Sequence, residues 1–502
     1  MRRPRLPRLA YNTLSFAGTV IALVAGLTML FFLVFQAMRH EANPYLGIFV
    51  YMVLPPFLFV GLLLIPIGMV RRKRILRKTG EEPRGWPFID LNRRTHRNAF
   101  IVFILGTLIY TLLSIVGAYQ AYHYTESVTF CGKTCHQVMK PEFTAYQHSP
   151  HARVACTACH VGPGANWYAK SKLSGLYQVY AVTANNYPRP IPTPIESLRP
   201  AQETCEQCHW PEQFFGAQQR QFNHYMYDEE NTHWPINMLI KTGGGDPKTG
   251  QTSGIHWHMN ISVRVEYIAR DEERQDIPWI RITDRLTGRQ TVYQDEEEPL
   301  TEEEIQAAVP RVMDCMDCHN RPSHKFRSPD YAVDHALLTG QLDSGIPEIK
   351  RAAVEAMAAD YSTEQEAMHG IANSILGFYL ENHPDFYEKN LRRLEQVVLA
   401  TQNQFSRNIF PRMKVRWENY PDNIGHFINP GCMRCHDGNH KSEDGRIISR
   451  DCRSCHAILS QGSGEKHEMA MMEEGLDFVH PVDLGEAWKE FGCYECHTGT
   501  QP

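Results

Sequence analysis

The chain has 502 residues, 43% of them hydrophobic, with a formal net charge of −5 and 14 cysteines. That length admits several compact units, and the charge excludes a uniformly basic nucleic-acid binder. The total hides an asymmetry: residues 1–100 hold 15 Lys/Arg against 4 Asp/Glu, leaving 36 and 52 for the remainder, the pattern of a membrane anchor carrying an acidic external domain.

Three apolar runs come first, at 14–38, 46–70 and 99–119. Each is long enough to cross a bilayer, and none has a charge in its interior. The first follows the basic stretch MRRPRLPR, but it is too long for a signal peptide and lacks a small-residue cleavage pattern, so it is expected to remain as an anchor. Pro55 and Pro56 predict a kink or re-entrant corner in the second run. Arg2, Arg3, Arg5 and Arg8 precede the first run and ten Lys/Arg fill the loop 71–97, whereas the loop near 39–45 carries only Arg39. The positive-inside rule then puts the N-terminus and loop 71–97 in the cytoplasm and everything after the third run outside.

The cysteines begin about ten residues later and fall into seven pairs: Cys131/Cys135, Cys156/Cys159, Cys205/Cys208, Cys315/Cys318, Cys432/Cys435, Cys452/Cys455 and Cys493/Cys496. Each pair is followed at once by histidine, at His136, His160, His209, His319, His436, His456 and His497. With 24 histidines in the chain, one such adjacency is a roughly one-in-twenty event, and seven of seven is not chance. Cys-x-x-Cys-His attaches c-type haem: two thiols on one turn reach one porphyrin edge, and the next residue brings an imidazole over the iron. Structural zinc wants four-ligand clusters, and neither zinc nor disulfides require a histidine after every pair. Seven covalently bound haem c groups are therefore expected. The first motif, CGKTCH, has one residue too many between its cysteines, which widens the loop without removing a thiol or the histidine. Its short tether, at most ~3.5 Å per residue, keeps it at the membrane surface. Haem c is attached outside the bacterial inner membrane, in agreement with the charge rule. His40, His96 and His123 sit only at span ends, so no b-type haem is expected within the membrane.

Between motifs 3 and 4, HMNISVRVEYIARD, DIPWIRITD and RQTVYQ predict a small antiparallel sheet at about 236–295, with LTGR as a turn. Thr301 and Glu304 form a capping-box pattern before motif 4. Helical periodicity runs from about 330 to 405. Motifs 5 to 7 crowd into 432–497, where almost every stretch must contact haem, porphyrins would supply the core and little regular structure is expected. The fold class is thus a membrane-anchored multihaem cytochrome c: three N-terminal transmembrane helices and a mostly α or irregular, haem-packed external domain with a small antiparallel β insertion. The boundaries read 1–124 for the anchor, 125–212 for motifs 1–3, 213–310 for the β-rich insertion, 311–330 for motif 4, 331–415 for a helical spacer and 416–502 for motifs 5–7.

A second axial ligand is needed for each six-coordinate iron. His151 precedes motif 2 by five residues, His324 follows His319 by five, and His440 follows His436 by four. His426 precedes motif 5 and His480 precedes motif 7. His256 and His258 are expected on one face of a strand, one of them ligating. These six, with Met139, make seven. His148, His224, His233 and His467 stand in reserve, and His335, His369 and His383 fall in the helical spacer.

CHQVMKPEFTAYQHSPHARVACTACHVGPGANWYAKSKLSG and the later ETCEQCH resemble the NapC/NirT family of membrane-anchored quinol dehydrogenases, over about 125–212. CHNRPSH and GCMRCHDGNH are similar to segments of its larger heptahaem inner-membrane members from metal-reducing bacteria. The resemblance implies oxidation of quinol, with menaquinol the expected donor, at the outer membrane surface, and electrons passed through the haems to periplasmic c-type cytochromes or a reductase in anaerobic or extracellular respiration. It implies Met139, in place of or beside His136, as axial ligand of the first haem, and His151 as a distal ligand to a later one. It places Lys172, with Lys170 beside it, near the quinol pocket. The acidic residue the family places near that pocket has no clear equivalent, and Gln178 stands nearby instead. Tyr119, Tyr122 and Tyr124 would sit at the lipid interface. The partners expected are the quinone pool, the bilayer and periplasmic electron acceptors, with no nucleic acid, and an oligomer could form through the transmembrane helices. Two other classes remain: a non-enzymatic relay subunit of a larger membrane oxidoreductase, and a terminal reductase with an open iron. The lysine-for-histidine signature of multihaem nitrite reductases is absent, which counts against the last.

Overall fold

A computed structural model describes residues 8–10, 12–38, 54–78, 90–134, 136–162, 164–195, 199–210, 216–243, 254–471 and 474–500. The loop near 39–45, the start of the second apolar run, residues 79–89 of the basic loop and Cys135 lie outside them. The chain falls into two compact units, Met1–His136 and Gln137–Pro502.

The first unit contains three helices long and apolar enough to cross a membrane: α1 (Thr13–Met38), α2 (Leu54–Lys78) and α3 (Arg94–Thr125). Small residues let α1 and α2 approach closely. A Cβ on Gly18 would lie 2.6 Å from the Gly61 carbonyl, and one on Gly61 2.6 Å from the Ala22 nitrogen, the contact type that drives helix association where lipid removes the hydrophobic incentive. Ser15 donates to the Ile65 carbonyl at 2.8 Å across the same seam. Pro55 and Pro56 do not kink the second helix as the sequence predicted. They occupy its first turn, where a missing N–H costs nothing, and the interior proline is Pro66. At the end of α3, Ser127 donates to the Tyr124 carbonyl at 2.7 Å and accepts from the Phe130 N–H at 3.1 Å. The chain then turns through a π-helical segment, Phe130–Thr134. A π turn carries one residue more than an α turn, so the surplus residue of CGKTCH is absorbed there. Tyr124 holds that turn through its ring on Phe130 (5.4 Å between centres) and its hydroxyl 3.2 Å from Thr134 Oγ1.

In the second unit α4 (His136–Gln147) and α5 (Ala165–Thr183) flank motif 2. Two antiparallel sheets follow. One orders β1 (Gln218–Tyr225), β2 (His233–Ile240), β8 (His456–Gln461) and β9 (Glu468–Met469); the other orders β6 (Arg311–Val312), β3 (Val263–Ile268), β4 (Trp279–Asp284), β5 (Gln290–Asp295) and β7 (His440–Ser442). The predicted strands are β3 to β5, joined at Gly288 (φ +72°) in the LTGR turn, but the sheet is no self-contained insertion. Both sheets draw strands from the motif 5–7 region, which therefore has regular structure after all. Pairing of Ile240 with His456 fixes motif 6 to the first sheet. Asp317, inside motif 4, fixes that motif to the second: it accepts from Tyr267 Oη at 2.6 Å, Arg311 Nε at 2.8 Å and Arg274 at 3.0 Å. The Thr301–Glu304 capping box forms as predicted.

The periodic region folds into α6 (Pro329–Leu338), α7 (Ile349–Ala358), α8 (Glu364–Asn382) and α9 (Pro384–Asn408). Their apolar faces make a core including Val333, Ala353, Ile371, Ile375, Leu394 and Phe405. Within it lies a charge cluster: Lys350, 2% exposed, sits 2.8 Å from both Asp330 and Asp334 and donates to the Tyr225 carbonyl. Lys350→Met would leave two buried carboxylates without a counter-charge. Thermal unfolding of the haem-loaded protein is expected to show a loss of about 3–5 kcal/mol.

Candidate functional site

Each described cysteine pair closes a single helical turn. The histidine N–H bonds back to the carbonyl of the first cysteine at 2.8 Å for His209, His319 and His497, and at 3.0 Å for His436. Asp314 and Asp451 cap the turns of motifs 4 and 6, accepting from Met316 at 2.8 Å and Arg453 at 3.0 Å. Two thiols and an imidazole are thereby presented from one short segment, as a haem edge and its iron require. The described cysteines are all free thiols, so no disulfide competes for them.

Opposite six of the motif histidines stands a second imidazole. Ring centres are 6.2 Å apart for His160 and His324, 6.1 Å for His209 and His151, and 6.3 Å for His319 and His256. They are 6.0 Å apart for His436 and His258, 6.2 Å for His456 and His426, and 6.1 Å for His497 and His480. Two metal–imidazole bonds of ~2.0 Å, each extended by ~1.1 Å from nitrogen to ring centre, would set axial rings ~6.2 Å apart. The residues fit iron.

The ring nitrogens agree. Nδ1 faces a backbone carbonyl in His151 (Pro322, 3.2 Å), His256 (Thr242, 2.6 Å), His258 (Ile255, 2.8 Å), His324 (Glu142, 3.0 Å) and His436 (Ser449, 2.9 Å). A carbonyl only accepts, so Nδ1 carries the proton and Nε2 keeps the lone pair a metal needs. Burial lowers the pKa of His160, His258, His319, His324, His426, His456 and His497, which favours the neutral, ligating form.

Two sequence expectations change. The first change is at His256 and His258, which do not share a strand face. They lie on a 3₁₀ turn, Ile255–Met259, and the three-residue period sends the two rings to different motif histidines, so both are placed to ligate. The second is His440, which faces no motif histidine. It is 1% exposed, with Nδ1 3.0 Å from Asp437 and Nε2 2.7 Å from the Ile277 carbonyl. Burial pulls its pKa down, but the bonds to Asp437 and Ile277 outweigh that and raise it. Both nitrogens are committed to holding β7, and neither faces a motif histidine. Its spacing from motif 5 is what misled.

His136 begins α4, and Met139 lies one turn along it, half-buried. The quinol-site candidates Lys170, Lys172 and Gln178 all fall on α5. Lys170 lies over the Trp167 ring and Lys172 over the Tyr168 ring, each 4.8 Å from the centroid, and Gln178 is 3.5 Å from Ser174 Oγ. The reserves have other roles: His224 lies 3.7 Å from Asp334, and His233 2.9 Å from Asn223. Asp317 escaped the sequence reading, although an acid inside a haem-binding turn was visible in CMDCH.

Residues 93–190 match the model of the NapC/NirT cytochrome c family, N-terminal region. The chain is 46% identical over 488 residues to the cytochrome c-type protein ImcH of Geobacter sulfurreducens, spanning 97% of this chain and 95% of that protein. Over 117 residues it is 31% identical to the cytochrome c-type protein NrfH of Wolinella succinogenes, 22% of this chain and 63% of NrfH. No solved structure matches the chain. With three membrane-length helices and repeated haem-binding turns, the chain belongs to the NapC/NirT cytochrome c family as a membrane-anchored, electron-transporting multihaem cytochrome with covalently bound haem c.

Proposed function

We propose that this chain is an inner-membrane quinol dehydrogenase, passing electrons from a quinol such as menaquinol through seven c-type haems to periplasmic acceptors. The observation that carries this is the set of six histidine pairs. At motifs 2 to 7 these pairs would hold an iron from both sides and leave it no open position for a substrate, which favours electron transfer over terminal reduction. When bound, each haem supplies a one-electron redox centre. All fourteen cysteines serve as attachment thiols in this reading, the exposed Cys208, Cys452 and Cys496 included. Quinol oxidation releases two electrons to these centres and two protons to external water.

Contacts between successive motifs support a relay in chain order. The Cys205 and Cys315 side chains of motifs 3 and 4 lie beside one another. Arg434 of motif 5 donates to the Asp317 carbonyl of motif 4 at 2.8 Å. His436 reaches the Ser449 carbonyl, just ahead of motif 6, and Arg450 reaches the Glu490 carbonyl, just ahead of motif 7, at 3.4 Å. At the donor end, the first motif closes the turn after α3, with His136 or Met139 its axial ligand, and Lys172, Lys170 and Gln178 are the quinol-site candidates. The positive charge before α1 and after α2 supports a cytoplasmic N-terminus and a periplasmic haem domain.

Mixing the detergent-solubilised protein with a reduced menaquinol analogue should reduce its haem absorption with no other protein present. Absence of reduction, with dithionite reduction intact, would instead identify a relay subunit that needs a partner.

A further inference from the structure

Helix α5 (ANWYAKSKLSGLYQVYAVT) is held to its own unit mainly by its C-terminal end. Ala181 is buried, and Val182 packs beside a core of Val138, Ala145, Phe326 and Phe410. Upstream of that anchor the large side chains point away from the protein. Leu173 is 68% exposed, Leu176 60%, Tyr177 65% and Tyr180 61%. These are positions i, i+3, i+4 and i+7, one continuous apolar stripe at helical period. Lys170, three residues before Leu173, flanks it on one side. Lys172, four before Leu176, flanks it on the other, where Val179 (58% exposed) widens it. A folded domain rarely leaves such a stripe to water.

We propose that α5 is an interfacial helix, lying with this stripe among the acyl chains and its two lysines among anionic lipid headgroups. Three observations select lipid as the occupant. The chain carries three membrane-length helices, the last ending at Thr125, about forty residues before Ala165, so a bilayer is within reach. The helix contains two lysines and no acid, inside an external part where acids outnumber bases by 52 to 36; that local charge suits anionic headgroups. The stripe also ends in Tyr177 and Tyr180, whose rings are apolar with one polar atom at the tip, the side-chain type that accumulates at membrane–water boundaries. Lysines flanking such a stripe keep their stems in the apolar layer and their ammonium groups in the headgroups. The proposal does not rest on the quinol reading, because lipid contact is measured without turnover.

The test uses the full haem-loaded chain in vesicles of phosphatidylethanolamine and phosphatidylglycerol, doped with a lipid bearing a photoactivatable diazirine on its acyl chain. After illumination, mass spectrometry maps the adducts. Adducts are expected on Leu173, Leu176, Tyr177 and Tyr180 as well as on the three apolar helices, and not on Val182. The triple variant Leu173→Asp/Leu176→Asp/Tyr180→Asp, checked for unchanged haem absorption, should lose roughly tenfold of the labelling in 165–183. Labelling confined to residues 13–125 overturns the proposal, whether the stripe is then covered by a second copy, another protein or a haem.

Discussion

Replacing His258 by alanine is expected to convert one haem from six-coordinate low-spin to high-spin, while His440→Gln adds no high-spin haem. The two residues make an informative pair, because the sequence alone offered both as ligands. In the folded chain His258 faces His436 at 6.0 Å with Nδ1 on the Ile255 carbonyl, so its loss opens one axial position. His440 is tied through both nitrogens to Asp437 and Ile277. Its replacement should cost stability, about 1–3 kcal/mol for a buried group left without its partner, and no coordination. Low-temperature absorption or electron paramagnetic resonance of the purified variants reads the difference. A high-spin signal in His440→Gln, with none in His258→Ala, would reverse the assignment at motif 5.

The second large effect concerns the donor end. Cys131→Ser/Cys135→Ser removes the first attachment site only. The resulting protein is expected to carry one haem fewer, to be reduced normally by dithionite and to lose reduction by the menaquinol analogue. Stopped-flow absorption measures both reductants on the same sample. The expectation follows from place: the first motif closes the turn after α3, held there by Tyr124 and Ser127, where a donor confined to the bilayer can reach it. Retained reduction by quinol would move the entry point to another motif.

What the sequence revealed, and what it did not, divides along distance in the chain. The attachment turns are local, and all were legible. Distal histidines within a few residues of a motif, such as His151, His324 and His426, were found by position, although the ring each one faces belongs to a different motif. That cross-pairing was invisible, because spacing says nothing about which segment crosses which. His440 shows the opposite failure: correct spacing, but a ring already claimed by a carbonyl 163 positions away. Strands β3 to β5 declared themselves through alternation. Strands β7 and β8 did not, since three- and six-residue pieces inside a haem-binding stretch are recognised only through remote partners in β5 and β2. The helices from α6 to α9 were readable because an amphipathic helix states its buried face in its own period.

The crossing of axial partners also bears on how the protein is made. Each attachment turn needs only five or six consecutive residues, but at motif 2 the imidazole opposite His160 is His324, which is synthesised much later. The ring of His324, which faces motif 2, is oriented by Glu142, 182 positions earlier, and that of His151, which faces motif 3, by Pro322, 171 positions later. Contacts so remote in sequence raise the contact order and slow folding. A fragment ending before residue 322 would lack the partner of motif 2 and the carbonyl that orients the partner of motif 3. The stretch resembling the smaller family members is therefore not an autonomous module here. Its axial pairs are completed only by the region around motif 4.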